Sequence, residues 1–318
     1  MKRTTWIDAL RGIAIIAVVF DHALFLYPQF RNDVLWWHTY FSVPWFVFLA
    51  GVSNTLGALK RERKLPQFVI SFWIRRLHLF LWYGGASLLI YLIDKGGAFR
   101  FSEFFQKLLL FSVEPTYYFI NLIMQLYFVF PILVTIILLL PKRWMRLLCI
   151  PVSYVFAQYL LLRIPAPWPF APAGKILGSL YFPVYVAGIV FAAESLILQK
   201  IVFAVSVVLF SWYELLLIRT NGGFISIVQN FSLLAWSLSL LHVIAPIVEH
   251  IRHSLPVKFL VFLGKRSLPI YLFHFFFLRH LSFFPQTSLD FLGVVLLSIL
   301  ASTLLELAVT QFKFANKP

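Results

Sequence analysis

The sequence is poor in charge. Only 12% of its 318 residues are charged, whereas 61% are hydrophobic. Soluble domains carry about 25% charged residues, and a folded chain of this length cannot cover its surface in water with so few polar groups. The composition therefore excludes a soluble enzyme and a disordered protein. It leaves a membrane protein whose outer surface meets lipid.

Cysteine and the common metal and nucleotide motifs are also scarce or missing. The single cysteine, Cys149, excludes an intrachain disulfide, a Cys-x2-Cys redox pair and a thiolate metal cluster. The histidines show neither His-x3-His nor His-Glu-x2-His spacing, so we predict no metal site. The sequence also lacks the Gly-x4-Gly-Lys-Ser/Thr loop of ATP-driven pumps and the Gly-x-Ser-x-Gly elbow of serine hydrolases.

Long apolar runs are what the sequence has instead. A membrane-spanning helix needs about 20 mostly apolar residues. The pattern predicts an all-α, polytopic membrane protein with about ten transmembrane helices, forming a single membrane domain over residues 1–318. The predicted spans are roughly residues 6–26, 40–59, 67–93, 117–140, 147–162, 176–198, 201–218, 224–248, 267–284 and 289–311.

Acidic residues are few, because 12 Asp+Glu stand against 27 Lys+Arg, for a formal net charge of +15. In a soluble protein this balance would suggest nucleic acid. Here the basic residues lie mostly in short tracts between apolar runs, where Lys and Arg mark cytoplasmic connections. With both termini in the cytoplasm, 16 of the 27 basic residues fall in cytoplasmic segments, so we predict cytoplasmic termini and no nucleic-acid partner. These residues are Lys2, Arg3, Lys60, Arg61, Arg63, Lys64, Lys142, Arg143, Arg146, Lys200, Arg252, Lys258, Lys265, Arg266, Lys313 and Lys317.

Ionisable residues within predicted spans are costly in lipid, so each is a candidate for function. Arg11 and His22 lie eleven residues apart, which places them on one helix face about 16 Å apart. A guanidinium and an imidazole so arranged suit a site that holds an anion at one depth and transfers protons at another. Asp8 precedes Arg11 by three residues, a spacing at which the two can pair. The spacing fits equally well a packing histidine and an arginine that reaches the headgroups.

The third predicted span carries Arg75, Arg76 and His78 well beyond its cytoplasmic end. Two adjacent arginines at this depth need an anionic partner. A bidentate clamp on a phosphorylated cofactor meets that need. Helix-to-helix pairing with an acid such as Glu306 meets it as well.

A polar pair also lies near the end of the chain. Tyr271 and His274 are three residues apart and share one helix face. Taken alone, His274 fits a hydrogen-bonded structural residue as well as a catalytic one.

Together these residues resemble a known family. Residues 6–15, continued by residues 18–22, are similar to the first helix of the acyltransferase-3 family of integral membrane acyltransferases, which carries an Arg-x10-His motif. Residues 72–77 resemble the arginine-bearing third helix of that family. Residues 264–274 resemble its late Gly-x2-Ser-x2-Ile-Tyr-x2-His segment. The resemblance extends over nearly the whole chain.

The third helix departs from the family pattern. That pattern is usually Arg-x2-Arg, whereas here Arg75 is followed three residues later by His78. Either His78 or Arg76 then takes the place of the second arginine.

The resemblance implies transfer of an acyl group, most often acetyl, from cytoplasmic acyl-CoA to a hydroxyl. The implied acceptors are sugars of surface polysaccharides or their lipid-linked precursors, handled in a cell membrane such as a bacterial inner membrane. It implies that His22 is the general base, and that Arg11 orients the cofactor or stabilises the developing oxyanion. The expected cofactor-binding residues are Arg75, Arg76 and His78, and Tyr271 and His274 are expected to support the site or face the acceptor.

A function of another class fits the same physical features. Ten helices with few acids also suit a transporter or exporter of a polysaccharide precursor, in which buried charges would line the translocation path. Paired broken helices would favour transport, and the sequence shows no convincing inverted pair of this kind.

Overall fold

The computed structural model describes residues 5–31, 38–39, 41–59, 65–163, 181–194, 226–280 and 287–315. These residues form α-helices joined by short turns and 3-10 segments, and no strand occurs among them. The helices are α1 (Thr5–Leu26), α2 (Ser42–Leu59), α3 (Leu65–Lys95), α4 (Phe101–Leu109), α5 (Tyr118–Leu139), α6 (Arg143–Arg163), α7 (Phe182–Ala193), α8 (Ser226–His250), α9 (Leu255–Lys265), α10 (Ser267–His280) and α11 (Ser288–Ala315).

Within that part of the chain, five helices are long and apolar enough to cross a membrane. They lie in α1, α2, α3, α5 and α11, and the bent pair α9–α10 makes a sixth candidate if it counts as one span. The described residues are thus helical, and the chain is a multi-pass membrane protein. The count of ten spans and the cytoplasmic termini stay predictions, and the predicted span 201–218 and the basic residues 60–64 lie outside the described residues.

The first four predicted spans agree with α1, α2, α3 and α5 to within two residues at either end. The sequence predicts a connection before the span 267–284, and the structure shows that this stretch is helical. It forms the helix α9, which meets α10 at an angle of 80°. Lys258 and Lys265 made this stretch resemble a charged cytoplasmic loop. Val257 and Leu263 of the same helix are nevertheless buried.

The structure divides into two compact units, which we describe separately. The terminal unit comprises Met1–Phe46 and Lys200–Pro318, and the middle unit comprises Val47–Gln199. In the terminal unit, α1 and α9 lie in backbone contact. A Cβ atom added to Gly264 would overlap the carbonyl oxygen of Asp8, and one added to Gly12 would overlap that of Leu260. Small residues permit such close helix approach in membranes.

The middle unit contains a similar contact between α2 and α7. A Cβ atom added to Gly188 would overlap the carbonyl oxygen of Phe48, and one added to Gly51 would meet that of Tyr185. Around this contact the side chains of Phe48, Phe130 and Tyr185 are almost fully buried. The glycines therefore fix the spacing of α2 and α7, and the aromatic residues fill the volume beside them.

The α1–α9 contact yields a stability prediction. We expect Gly264→Ala to lower the melting temperature of the purified protein, because the added methyl group forces two backbones apart at a cost of about 1–3 kcal/mol. Gly293→Ala in α11 is the matched control, since no atom lies within 4 Å of its added Cβ. Alanine favours a helix over glycine by about 1 kcal/mol, so the control should keep or raise the melting temperature. Equal melting temperatures for the two variants would contradict the close contact.

Candidate functional site

Two histidines from distant parts of the chain meet in the terminal unit. Nδ1 of His22, near the end of α1, lies 2.7 Å from Nε2 of His274 on α10. The two rings are stacked, with centroids 4.9 Å apart and planes inclined by 25°. His22 is partly exposed, whereas His274 has 0% exposed surface. The structure thus joins two residues that the sequence analysis treated separately.

The surroundings of this pair are largely apolar. Phe275 presents its ring edge-on to His22, with centroids 5.8 Å apart. The carbonyl oxygen of Tyr271 lies 2.7 Å from Nδ1 of His274, so the ring N–H donates to the backbone of its own helix. Tyr271 is predicted to be a supporting residue, and besides this carbonyl its ring contacts that of His274, with centroids 5.5 Å apart. Both nitrogens of His274 are therefore engaged.

Asp21 and Thr39 form a second polar contact next to His22. The hydroxyl of Thr39 donates to Oδ1 of Asp21 over 2.9 Å. Asp21 follows Phe20 and precedes His22, so it points about 100° away from His22 around the helix. Neither residue has a role predicted from the sequence. Asp21 could have been identified as a candidate because it is an acid within an apolar run. Thr39 lies just before the predicted second span, and no sequence feature distinguishes it.

Arg11 lies three turns before His22 on α1. Its Nη1 is 3.8 Å from Oδ1 of Asp8, which confirms the pairing expected from the spacing. The Asp8 side chain is 2% exposed and that of Arg11 is 20% exposed. The carboxylate is thus buried, whereas the Arg11 side chain keeps partial access to the surface.

The middle unit contains a different polar cluster, centred on Arg76 of α3. Nη2 of Arg76 donates to Oδ1 of Asn54 on α2. The amide nitrogen of Asn54 in turn donates to the hydroxyl oxygen of Tyr185 on α7 over 2.9 Å. The guanidinium carbon also lies 5.0 Å from the ring centroid of Phe72 and 4.8 Å from that of Tyr127. Three helices and two aromatic faces therefore hold one guanidinium.

These partners leave the positive charge of Arg76 without a neutralising acid. Within the described residues no carboxylate forms an ion pair with it, and its buried Nε has no hydrogen-bond partner there. Glu306, the acid considered as a partner for this arginine pair, binds Nε of Arg266 at 3.0 Å in the terminal unit. A guanidinium held by an amide and aromatic rings favours an anionic ligand, because a desolvated cation gains most from an opposite charge.

Arg75 and His78 lie on other faces of α3. Successive helical residues differ by about 100°, so Arg75 diverges from Arg76. His78 is exposed, and its Nδ1–H donates to the carbonyl oxygen of Arg75 over 2.6 Å. The structure does not bring these two side chains into the Asn54 cluster, and their predicted role in cofactor binding stays a prediction.

Sequence reasoning missed the residues that hold Arg76. Asn54 is a polar residue that is 4% exposed inside an apolar helix. Arg11 was selected because charged residues within spans are costly, and the same criterion applied to amides would have selected Asn54. Phe72, Tyr127 and Tyr185 gave no signal, because aromatic residues are frequent throughout the chain.

Comparison with protein families gives a match over nearly the whole chain. A family model described as an acyltransferase domain matches residues 4–307, essentially the whole chain. The matched residues include His22, His274 and the Arg76 cluster. No curated protein matches the chain.

The Arg76 cluster yields a prediction about stability. We expect Tyr185→Phe to lower the melting temperature, since it removes the acceptor of a buried Asn54 N–H, and such a group left unpaired costs about 1–3 kcal/mol. Tyr159→Phe in the same unit is the control, because its side chain is 57% exposed. A loss in the control as large as that of Tyr185→Phe would show that the Asn54 contact contributes nothing specific.

Proposed function

The chain belongs to the acyltransferase-3 family, and on this premise we propose that it transfers an acyl group from cytoplasmic acyl-CoA to a hydroxyl of a surface or lipid-linked sugar. The acyl group proposed is acetyl, and the acceptor is a polysaccharide of the cell envelope or its membrane-bound precursor. The observation that supports this proposal most directly is the His22–His274 pair. It presents a partly exposed imidazole, tied to a buried partner, within an apolar wall.

In the proposed reaction His22 is the general base. The sugar hydroxyl gives its proton to His22 as its oxygen attacks the thioester carbonyl carbon of acyl-CoA. The carbon–sulfur bond then breaks, and the proton passes from His22 to the leaving thiolate. The products are the sugar ester and CoA, and no metal takes part. An imidazole suits both steps because one ring nitrogen can accept a proton and then return it.

Arg76 is proposed to bind an anionic part of the donor. CoA carries several phosphate groups, and a guanidinium binds phosphate through parallel, charge-assisted hydrogen bonds. The charge of Arg76 has no carboxylate partner among the described residues, and its side chain is already oriented by Asn54. A preorganised cation of this kind loses little conformational freedom when it binds.

Arg11 suits a remote part of the donor better than the oxyanion. It lies about 16 Å along α1 from His22, which is more than the two side chains can span to reach one reacting carbonyl group. We therefore propose that Arg11 orients the cofactor. Its pairing with Asp8 moderates its charge and fixes its direction.

The alternative function, transport of a polysaccharide precursor, gains no support. The family match concerns an acyltransferase domain. The bent apolar pair α9–α10 brings His274 into contact with His22 on α1. A histidine pair is suited to acid–base chemistry, because one ring can orient the other.

The first functional prediction concerns His22. We expect His22→Ala to reduce acetyl transfer by about 10²- to 10⁴-fold, the usual contribution of a general base. The measurement uses purified protein in lipid with labelled acetyl-CoA and candidate glycans. His280→Ala is the matched control, since His280 is an exposed histidine on the same helix as His274. Unchanged transfer by His22→Ala would exclude its role as the base.

The second functional prediction concerns the arginines of α3. We expect Arg76→Gln to weaken acetyl-CoA binding by about 10- to 100-fold, because a hydrogen bond to a charged group contributes about 1.5–3 kcal/mol. Arg75→Gln should weaken it less, since Arg75 lies outside the Asn54 cluster. Calorimetric titration of each variant measures the difference. Arg252→Gln, with a side chain 51% exposed, is the control for loss of charge. A larger loss in Arg75→Gln than in Arg76→Gln would reverse the assignment.

A further inference from the structure

His274 is fully buried, and each of its two ring nitrogens forms a hydrogen bond within the protein. Its exposed surface is 0%, so it cannot touch a substrate. We propose that His274 is a positioning residue, which holds His22 in the tautomer that leaves Nε2 of His22 free to accept a proton. The inference rests on the proposed function, in that His22 is taken as the general base.

The argument begins at the backbone of α10. A carbonyl oxygen only accepts hydrogen bonds. The carbonyl of Tyr271 lies 2.7 Å from Nδ1 of His274, so Nδ1 carries the hydrogen. In a neutral imidazole the other nitrogen then has a lone pair and no hydrogen. Nε2 of His274 is therefore an acceptor.

The next step carries this constraint to α1. Nε2 of His274 lies 2.7 Å from Nδ1 of His22. Because Nε2 of His274 accepts, Nδ1 of His22 must donate and carries the hydrogen. The remaining nitrogen of His22, Nε2, then holds the lone pair. This assignment follows from the hydrogen-bond network, which is how histidine tautomers are determined from heavy-atom positions.

The reverse arrangement is unfavourable in this environment. A hydrogen on Nε2 of His274 would require either an imidazolium shielded from solvent beside Phe275 or a bare Nδ1 facing the carbonyl of Tyr271. A buried charge without a counter-ion and a buried acceptor facing another acceptor both cost free energy. If Nε2 of His274 carried the hydrogen, Nδ1 of His22 would have to accept it. A neutral His22 would then carry its own hydrogen on Nε2, and this nitrogen could not act as a base.

The same contact serves His22 after it has taken the proton. The imidazolium form of His22 keeps its Nδ1–H donated to Nε2 of His274, so the charged ring retains a partner. Among the described residues no carboxylate forms an ion pair with His22. A neutral histidine thus fills the orienting place that a carboxylate fills in many acid–base sites.

Two substitutions separate the acceptor from the bulk of the side chain. His274→Gln can place an amide oxygen four bonds from Cα, where Nε2 of the ring lies, so the acceptor is retained. His274→Phe keeps a planar ring of similar size and removes the acceptor. We expect Gln to preserve the tautomer of His22 and Phe to release it.

The first measurement needs no turnover. Nitrogen-15 NMR of histidine-labelled full-length protein in lipid bilayers reports which ring nitrogen carries the hydrogen, and His22→Gln identifies the His22 signals by their loss. The expected result is a hydrogen on Nδ1 of His22 in the wild type and in His274→Gln, with the Nε2–H tautomer populated in His274→Phe. A wild-type His22 with its hydrogen on Nε2, or a tautomer unchanged in His274→Phe, would overturn the proposal.

The second measurement is acetyl transfer. His274→Phe should lower kcat by about 10²- to 10⁴-fold, as loss of a tautomer-fixing partner does elsewhere, while the KM for acetyl-CoA stays within a factor of about 2. His274→Gln should recover most of kcat. Equal kcat losses in Gln and Phe would overturn the positioning role. If neither the wild type nor any variant transfers acetyl, the proposed function fails. The tautomer of His22 measured by NMR then still supports the assigned geometry of the histidine pair.

Discussion

The backbone contact between α1 and α9 is the constraint on which the terminal unit depends. Gly12 and Gly264 let the two helices approach until a methyl group no longer fits. Gly264 lies one residue before the end of α9, and the chain turns by 80° before α10 begins. With α9 fixed on α1, the turn fixes where α10 runs, and His274 comes to lie against His22. The glycine packing of α1 against α9 thus determines the polar contact between His22 and His274.

The sequence predicts the apolar helices well and the polar contacts poorly. The bounds of α1, α2, α3 and α5 follow from hydropathy, because lipid demands long, uninterrupted apolar helices. His22 and Arg11 are identified by their shared face and by the family motif. The contact of His22 with His274 joins residues 252 positions apart. It depends on the α9–α10 bend, which no local pattern predicts, and the lysines of α9 concealed even the presence of that helix.

The Arg76 cluster shows why charge alone is an incomplete guide to polar sites in membranes. The expectation of an acidic partner followed from the cost of a buried cation. The structure instead surrounds the guanidinium with Asn54 and two aromatic rings. These groups stabilise the cation without cancelling its charge. A carboxylate partner would have satisfied the arginine fully and left it little attraction for a phosphate.

The two clusters, each within its own unit, use the same physical device. In each, a hydrogen-bond relay begins at an oxygen that accepts: the Tyr271 carbonyl for the histidines, the Tyr185 hydroxyl for the arginine. One intermediate residue, His274 or Asn54, passes the orientation on. The last member keeps a group that can still bind or react: the lone pair on Nε2 of His22, or the positive charge of Arg76. Buried polar groups are costly unless paired, so a relay that pairs all but the last group concentrates reactivity at one atom. The intermediate residues, His274 and Asn54, therefore act on the last member of each relay by orienting it.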